Sequence, residues 1–182
     1  MKILFASAEV KPFSKVGGLA DVVGSLPKYI EKEAEIAIFT PLYGCIDKEK
    51  YKVIPEPFED VKRLLSPNYY DIAITSPPYY DLEIYDSSEM QSVVRNKSFN
   101  KWIDDFYYPY LANMIYAIKV NGYVVIYIED IKSKKVNYPL RSITLDYMNN
   151  NDEVTYYNMI GLKVGKTVRW ALIWKKIKES EK

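Results

Sequence analysis

The sequence predicts an α/β fold, a three-layer sandwich around a largely parallel sheet that closes with a carboxyl-terminal antiparallel hairpin. Three observations predict it. Short apolar runs suited to buried strands recur at residues 2–8 ("KILFASA"), 35–43 ("EIAIFTPLY"), 69–76 ("YYDIAITS") and 121–130 ("NGYVVIYIED"). Segments with helical spacing lie between several of these runs, and such alternation places helices on the faces of a parallel sheet. The chain has 182 residues with no internal repeat or low-complexity linker, enough for a single α/β domain over 1–182.

The elements follow in order. After the first run comes a glycine-containing segment, and from Leu19 apolar residues fall at Leu19, Val22, Val23, Leu26 and Ile30, which is helical spacing. With the run at 35–43 this makes a βαβ unit, whose crossover is expected to be right-handed. A short strand is expected at residues 51–54, stopped by Pro55 and Pro57, and then a turn or two of helix in "VKRLLSPN". The run at 69–76 is apolar on both faces and reads as the best central strand. Residues 79–98 show little periodicity and read as a long functional loop or lid. A helix over about 100–119 can bury Trp102, Phe106, Tyr110, Ile115 and Ile118 on one side, with Pro109 kinking or splitting it. Asn121-Gly122 reads as that helix's left-handed cap. A polar stretch follows, and then two strands over 153–177 joined near Gly165-Lys166, a hairpin pattern. The sum is Rossmann-like. In such sheets ligands sit at the carboxyl ends of the strands where the strand order reverses. If the runs at 2–8 and 69–76 are neighbours, the segments after them, Lys15–Gly18 and Ser76–Tyr79, face one crevice.

Composition narrows the chemistry. Apolar residues make up 48% and charged residues 27%, ordinary for a globular domain. The chain has no histidine and a single cysteine, Cys45. That excludes Ser-His-Asp and Cys-His catalysis, His-ligated metals and an internal disulfide. The chemistry falls to carboxylates, hydroxyls, backbone groups or a cofactor. No apolar run approaches the ~18 residues that span a bilayer. The amino terminus makes a poor signal peptide, since its short apolar stretch runs into Glu9 and Lys11, and a reducing cytoplasm is the expected compartment. The net charge of +1 hides an asymmetry: 13 basic and 17 acidic residues over 1–118, against 12 and 7 over 119–182. A basic carboxyl-terminal third suits either a polyanion, with Lys132, Lys134, Lys135 and Arg141 as phosphate contacts, or a solvated surface. The 18 tyrosines reflect either a bias towards strand-forming aromatics or a few rings stacked on a planar ligand.

The stretch "TSPPYY" carries the sharpest chemistry. Pro77 holds Ser76 extended, Pro78 does the same to Pro77, and neither proline offers an N–H. The corner presents carbonyls and the Ser76 hydroxyl without competing donors, beside the flat face of Tyr79. That suits a ligand amino group on an aromatic ring.

These residues resemble the Ser/Asp/Asn-Pro-Pro-Tyr/Phe/Trp motif of S-adenosylmethionine-dependent amino methyltransferases, which modify cytosine N4 or adenine N6. With "PFED" before it and the helix, Asn-Gly and strand after it, the likeness runs over about residues 54–176. The resemblance implies S-adenosylmethionine as cofactor and a nucleic acid, DNA ahead of RNA, as substrate. It implies that Ser76, Pro77, Pro78 and Tyr79 are catalytic, with Ser76 and the Pro77 carbonyl accepting the amino hydrogens and Tyr79 stacking on a base that has left its stack. Asp60, in "PFED", is either the acceptor for the cofactor's adenine amino group or a helix cap before "VKRLL". The usual Phe-x-Gly-x-Gly cofactor loop is absent, and Thr40-Pro41 stands where an acid is usual.

The first fifty residues resemble something else. "MKILFASAEVKPFSKVGGLADVVGSLPKYIEKE" and "TPLYGCID" are similar to the amino terminus of bacterial glycogen and starch synthases. In that family the loop approaches the phosphates of a nucleotide-sugar donor, which assigns Lys15, Gly17 and Gly18 to ligand binding, with glycines for close approach and a helix amino terminus for the anion. The family's second, donor-binding domain has no room in a chain of this length, so no complete glycosyltransferase is expected. Together the two resemblances imply a chimaera with a junction near residues 45–54. Three functions follow: a nucleobase amino methyltransferase, a nucleotide-sugar-binding fragment, or a non-catalytic α/β scaffold.

Overall fold

The computed structural model describes residues 1–13, 19–40, 57–82, 91–132, 136–164 and 167–180. Strand β1 (Lys2–Ser7) leads to helix α1 (Leu19–Ile30) and strand β2 (Glu35–Phe39). Two 3-10 turns, Phe58–Asp60 and Lys62–Leu64, precede strand β3 (Tyr70–Ser76). A short helix α2 (Ser92–Arg95) is followed by α3 (Phe99–Trp102), a π-turn (Ile103–Tyr107) and α4 (Tyr108–Ala117). Strand β4 (Ile118–Tyr127), a two-stranded ribbon of β5 (Ile131–Lys132) and β6 (Asn137–Tyr138), helix α5 (Leu140–Asn149), and strands β7 (Val154–Val164) and β8 (Thr167–Lys176) complete the chain.

The main sheet has the order β2-β1-β3-β4-β8-β7. The β1–β2, β1–β3 and β3–β4 pairs are parallel, and β8 runs antiparallel to both β4 and β7. This is the mixed, largely parallel Rossmann-like sheet with a terminal hairpin that the sequence predicts. One face carries Leu4, Ala6, Ala73, Val124, Ile126, Leu172 and Trp174, which form one core with Trp102, Tyr107, Leu111 and Met114 from the α3–α4 stretch and with Leu140 and Met148 of α5. The other face carries Ile3, Phe5 and Ile74 against Val23 and Leu26 of α1. Alternation along β1 sends successive side chains to opposite layers. Among the described residues no helix is long and apolar enough to cross a membrane.

Pro109 splits its helix, as its sequence position requires. It lacks an N–H, and its ring displaces the carbonyl four residues back. The chain absorbs this by widening into the π-turn just ahead of it, which also keeps Trp102, Phe106 and Tyr110 on the buried side. The expected cap at Asn121-Gly122 is corrected. The helix ends at Ala117, and Asn121 takes its left-handed φ of 67° inside β4 instead. There the register jumps from Tyr70–Ile118 to Ile72–Tyr123, so extra β4 residues bulge out of the ladder. Helix α5 lay hidden in what reads as a polar stretch: Leu140, Thr144 and Met148 are buried, and Ile143, Leu145 and Tyr147 pack partly buried against the same core. "VKRLL" forms a 3-10 turn, and the loop expected at 79–98 contains α2. The strand expected at 51–54 and the junction expected near 45–54 lie outside the described residues.

At the opposite end of the sheet from the proline corner, the ammonium of Lys176 is fully buried. Its three N–H groups are shared among Asn68 Oδ1 (2.8 Å), the carbonyls of Ile115 and Ile118 (2.9 Å each) and Ser180 Oγ (2.8 Å). One cation thus ties the end of β8 to the seam between α4 and β4.

Candidate functional site

The strand order reverses between β1 and β3, because β2 lies on one side of β1 and β3 on the other. The crevice at this switch point opens at the carboxyl ends of the two strands. There Ser7 and Ser76 are register partners, so the residues after both strands leave the sheet side by side. The expected adjacency of the two strands is therefore found.

A buried hydroxyl triangle fixes the strand ends. Thr75 Oγ1 donates to the Ala6 carbonyl (2.8 Å), Tyr110 OH donates to the same oxygen (2.9 Å), and the two hydroxyls lie 2.5 Å apart. Burial pushes the Tyr110 phenol far above its ordinary pKa, so it remains a donor. This ties β1, β3 and α4 together directly beneath Ser76. Ser7 Oγ donates to the Glu9 carbonyl (2.7 Å), and Glu9, only 3% exposed, accepts from the Ala20 N–H at the start of α1 (3.1 Å).

Ser76 is half-buried, Pro77 buried, and Pro78 and Tyr79 half-buried. The Tyr79 phenolic oxygen accepts from the Glu129 N–H (3.1 Å), just past β4. Tyr80 answers why two tyrosines follow the prolines. It takes a left-handed φ of 49° and swings its ring into the core, edge-on to Phe99, Trp102 and Tyr138 at 5.4, 5.7 and 5.1 Å. The second tyrosine anchors the corner that the first one lines.

Asp60 ends a 3-10 turn. Its Oδ2 accepts from Arg95 Nη2 (2.9 Å), while the neighbouring Glu59 accepts from Nη1 of the same arginine (2.8 Å). The next turn is preceded by Val61 and has no side-chain cap, so the helix-cap role for Asp60 is corrected. Burial pushes the Glu59 carboxyl up to about 7, outweighing the attraction of Arg95. Phe58, from the same turn, lies between Phe39 at the end of β2 (5.3 Å) and Tyr110 (4.9 Å), linking the turn to the strand ends. Thr40 Oγ1, just beyond β2, is buried without a hydrogen-bond partner among the described residues.

The corner Ser76, Pro77, Pro78 and Tyr79 thus stands at the switch point, and Asp60 is joined to it through Phe58 and Tyr110. Lys15, Gly17 and Gly18 lie outside the described residues. Sequence reading passed over Glu9, Tyr80 and Glu129. Two of these are acids within two residues of a strand's carboxyl end, a position that could have flagged them.

The profile of the starch synthase catalytic domain family matches residues 2–173. The chain is 36% identical over 91 residues to a glycogen synthase of Pseudothermotoga lettingae, a match covering 47% of this chain and 19% of that protein. It thus spans about a fifth of that curated relative. Among solved structures, TrmN from Thermus thermophilus superposes with a TM-score of 0.53 at 9% identity, over 97% of this chain and 44% of that one. A candidate DNA modification methylase from the same organism, complexed with S-adenosyl-L-methionine, superposes with a TM-score of 0.50 at 15% identity, over 70% of this chain and 56% of that one. These two likenesses show the fold. The chain belongs to the starch synthase catalytic domain family, with a Rossmann-like fold whose neighbours include methyltransferases.

Proposed function

We propose that this chain is a methyltransferase-like domain that uses S-adenosylmethionine to methylate the exocyclic amino group of a nucleobase, cytosine N4 or adenine N6, in DNA ahead of RNA. One observation carries the reading: the Ser76–Tyr79 corner leaves the sheet at its switch point, beside the end of β1.

The residues fit such a cofactor. The Thr40 hydroxyl, buried without a partner among the described residues, is the kind of group that a nucleoside hydroxyl would satisfy, and a buried orphan otherwise costs ~1–3 kcal/mol. Asp60 keeps a second carboxylate oxygen for an amino group, and the Glu9 carboxylate beside β1 favours a cation nearby. When bound, S-adenosylmethionine would supply an electrophilic methyl group. Ser76 Oγ and the Pro77 carbonyl accept the two amino hydrogens and turn the nitrogen lone pair outward. Tyr79 gives the ring a face to lie on. Catalysis of this kind is positioning and electrostatics, and it asks for no histidine.

The test is titration calorimetry with S-adenosylmethionine together with transfer of a labelled methyl group to DNA and RNA. Binding and transfer support the reading; a folded sample that does neither removes it. The family membership favours a second reading, a nucleotide-sugar-binding remnant built on Lys15, Gly17 and Gly18. It predicts ADP-glucose binding that weakens in Lys15→Ala. Under either reading, we place the junction of the two sequence types near residues 45–54.

A further inference from the structure

We propose that Glu129 is the positioning residue for Tyr79, holding the ring at the angle at which it receives a base. Two hydrogen bonds and an ion pair converge on it. Its backbone N–H donates to the Tyr79 phenolic oxygen (3.1 Å). Its Oε1 accepts from the Trp170 N–H of β8 (3.2 Å), and its Oε2 lies 3.8 Å from Arg141 Nη1 of α5. The next residue, Asp130, accepts from the Arg141 N–H (2.9 Å) and fastens the same segment to the start of α5.

Glu129 lies two residues beyond the end of β4, where no ladder bond would fix its backbone. Its carboxylate replaces the ladder by bridging to the adjacent strand and helix. The amide that holds Tyr79 is therefore fixed by that carboxylate together with the neighbouring Asp130. A bond at the para oxygen of this half-buried ring fixes the direction of the ring's long axis, and with it where the face is presented.

The inference rests on the reading that Tyr79 faces a base, and its test separates the two. The protein is labelled with tyrosine carrying carbon-13 at the ring Cζ, and the Tyr79 signal is assigned by its loss in Tyr79→Phe. In Glu129→Ala that signal should shift or broaden, and the Trp170 amide should exchange with solvent at least tenfold faster. In Glu129→Gln, whose amide oxygen still accepts from Trp170, the signal should stay near its wild-type position. Tyr79→Phe, which leaves the Glu129 side chain untouched, should speed exchange of the Glu129 amide and keeps the question answerable if Glu129→Ala does not fold. An unmoved Tyr79 signal in folded Glu129→Ala, or an unchanged Glu129 amide in Tyr79→Phe, overturns the proposal. Failure of methyl transfer by the wild type, with these signals behaving as stated, would remove the methyltransferase reading and leave the positioning bond standing.

Discussion

Arg95 reaches from α2 to hold Glu59 at 2.8 Å, and the same guanidinium holds Asp60 at 2.9 Å. The far end of the loop after the proline corner is thus strapped to the turn whose Phe58 packs under the strand ends. The two bonds are unequal. The Glu59 side chain is nearly inaccessible, whereas that of Asp60 is half exposed and adds little as an ion pair.

Glu59 makes stability depend on pH in an uncommon direction. Its carboxyl is raised from 4.5 to about 7 in the folded protein, chiefly by burial, so between those values the folded state binds more protons than the unfolded one. Stability should therefore fall as pH rises from about 4.5 to 7 and level off above, by at most about 3 kcal/mol. With no histidine in the chain, few other groups compete in this window. Urea unfolding from pH 5 to 8 should show the decline in wild type and a flatter profile in Glu59→Gln. Parallel profiles would mean that Glu59 is ionised throughout.

The triangle under Ser76 predicts coupling. Tyr110→Phe removes one donor to the Ala6 carbonyl and leaves Thr75 in place, and Thr75→Val does the reverse. Each should cost ~1 kcal/mol, because one hydroxyl still serves the carbonyl. The double variant leaves it with neither, and its cost should exceed the sum by about 1 kcal/mol. Denaturant midpoints of the four proteins measure this, and simple additivity would show that the hydroxyls act separately.

The β4 bulge marks where sequence and structure part. The sheet, the split at Pro109 and the corner after β3 were legible because each is written in local chemistry: apolar runs, a missing N–H, a proline pair. Asn121-Gly122 was legible as a left-handed turn but not as a bulge, since helix cap and bulge ask for the same residues. What decides is the neighbour. A Cβ on Gly122 would stand 2.7 Å from the Asp71 carbonyl of β3, a contact invisible to spacing. Helix α5 was missed for a related reason: its inward seam has the polar Thr144 at its centre, and the burial of that residue depends on Tyr107, whose hydroxyl meets Thr144 at 2.6 Å. Within the site, the corner could be read from Pro-Pro, but its anchors, Tyr80 and Glu129, are chosen by partners distant in sequence.

That bulge can be tested directly. Gly122→Ala must push β4 off β3 and should cost about 2 kcal/mol. Asn121→Gly keeps the left-handed backbone at lower strain and should be neutral to within about 0.5 kcal/mol. Thermal midpoints of the two variants check this. Equal tolerance at both positions would mean that the strands separate more easily than their register suggests.

The proline corner makes the final prediction, and it separates binding from chemistry. Ser76 sits where β3 ends, its backbone held by the ladder with β1 and by Thr75 below, so Ser76→Ala removes one acceptor and leaves the corner in place. On the proposed reading the lost bond counts most when the amine attacks. Turnover on DNA should then fall on the order of 10²-fold, while the affinity for S-adenosylmethionine changes by less than about twofold. Tyr79→Ala removes the face and should raise KM for the nucleic acid as well as lower kcat. Lys15→Ala should matter little to either quantity but should weaken ADP-glucose binding if the second reading holds. Single-turnover methyl transfer and cofactor titration on the three variants give the pattern. A Ser76→Ala protein that turns over at the wild-type rate would mean that the amino group, if one binds, is oriented by something other than this corner.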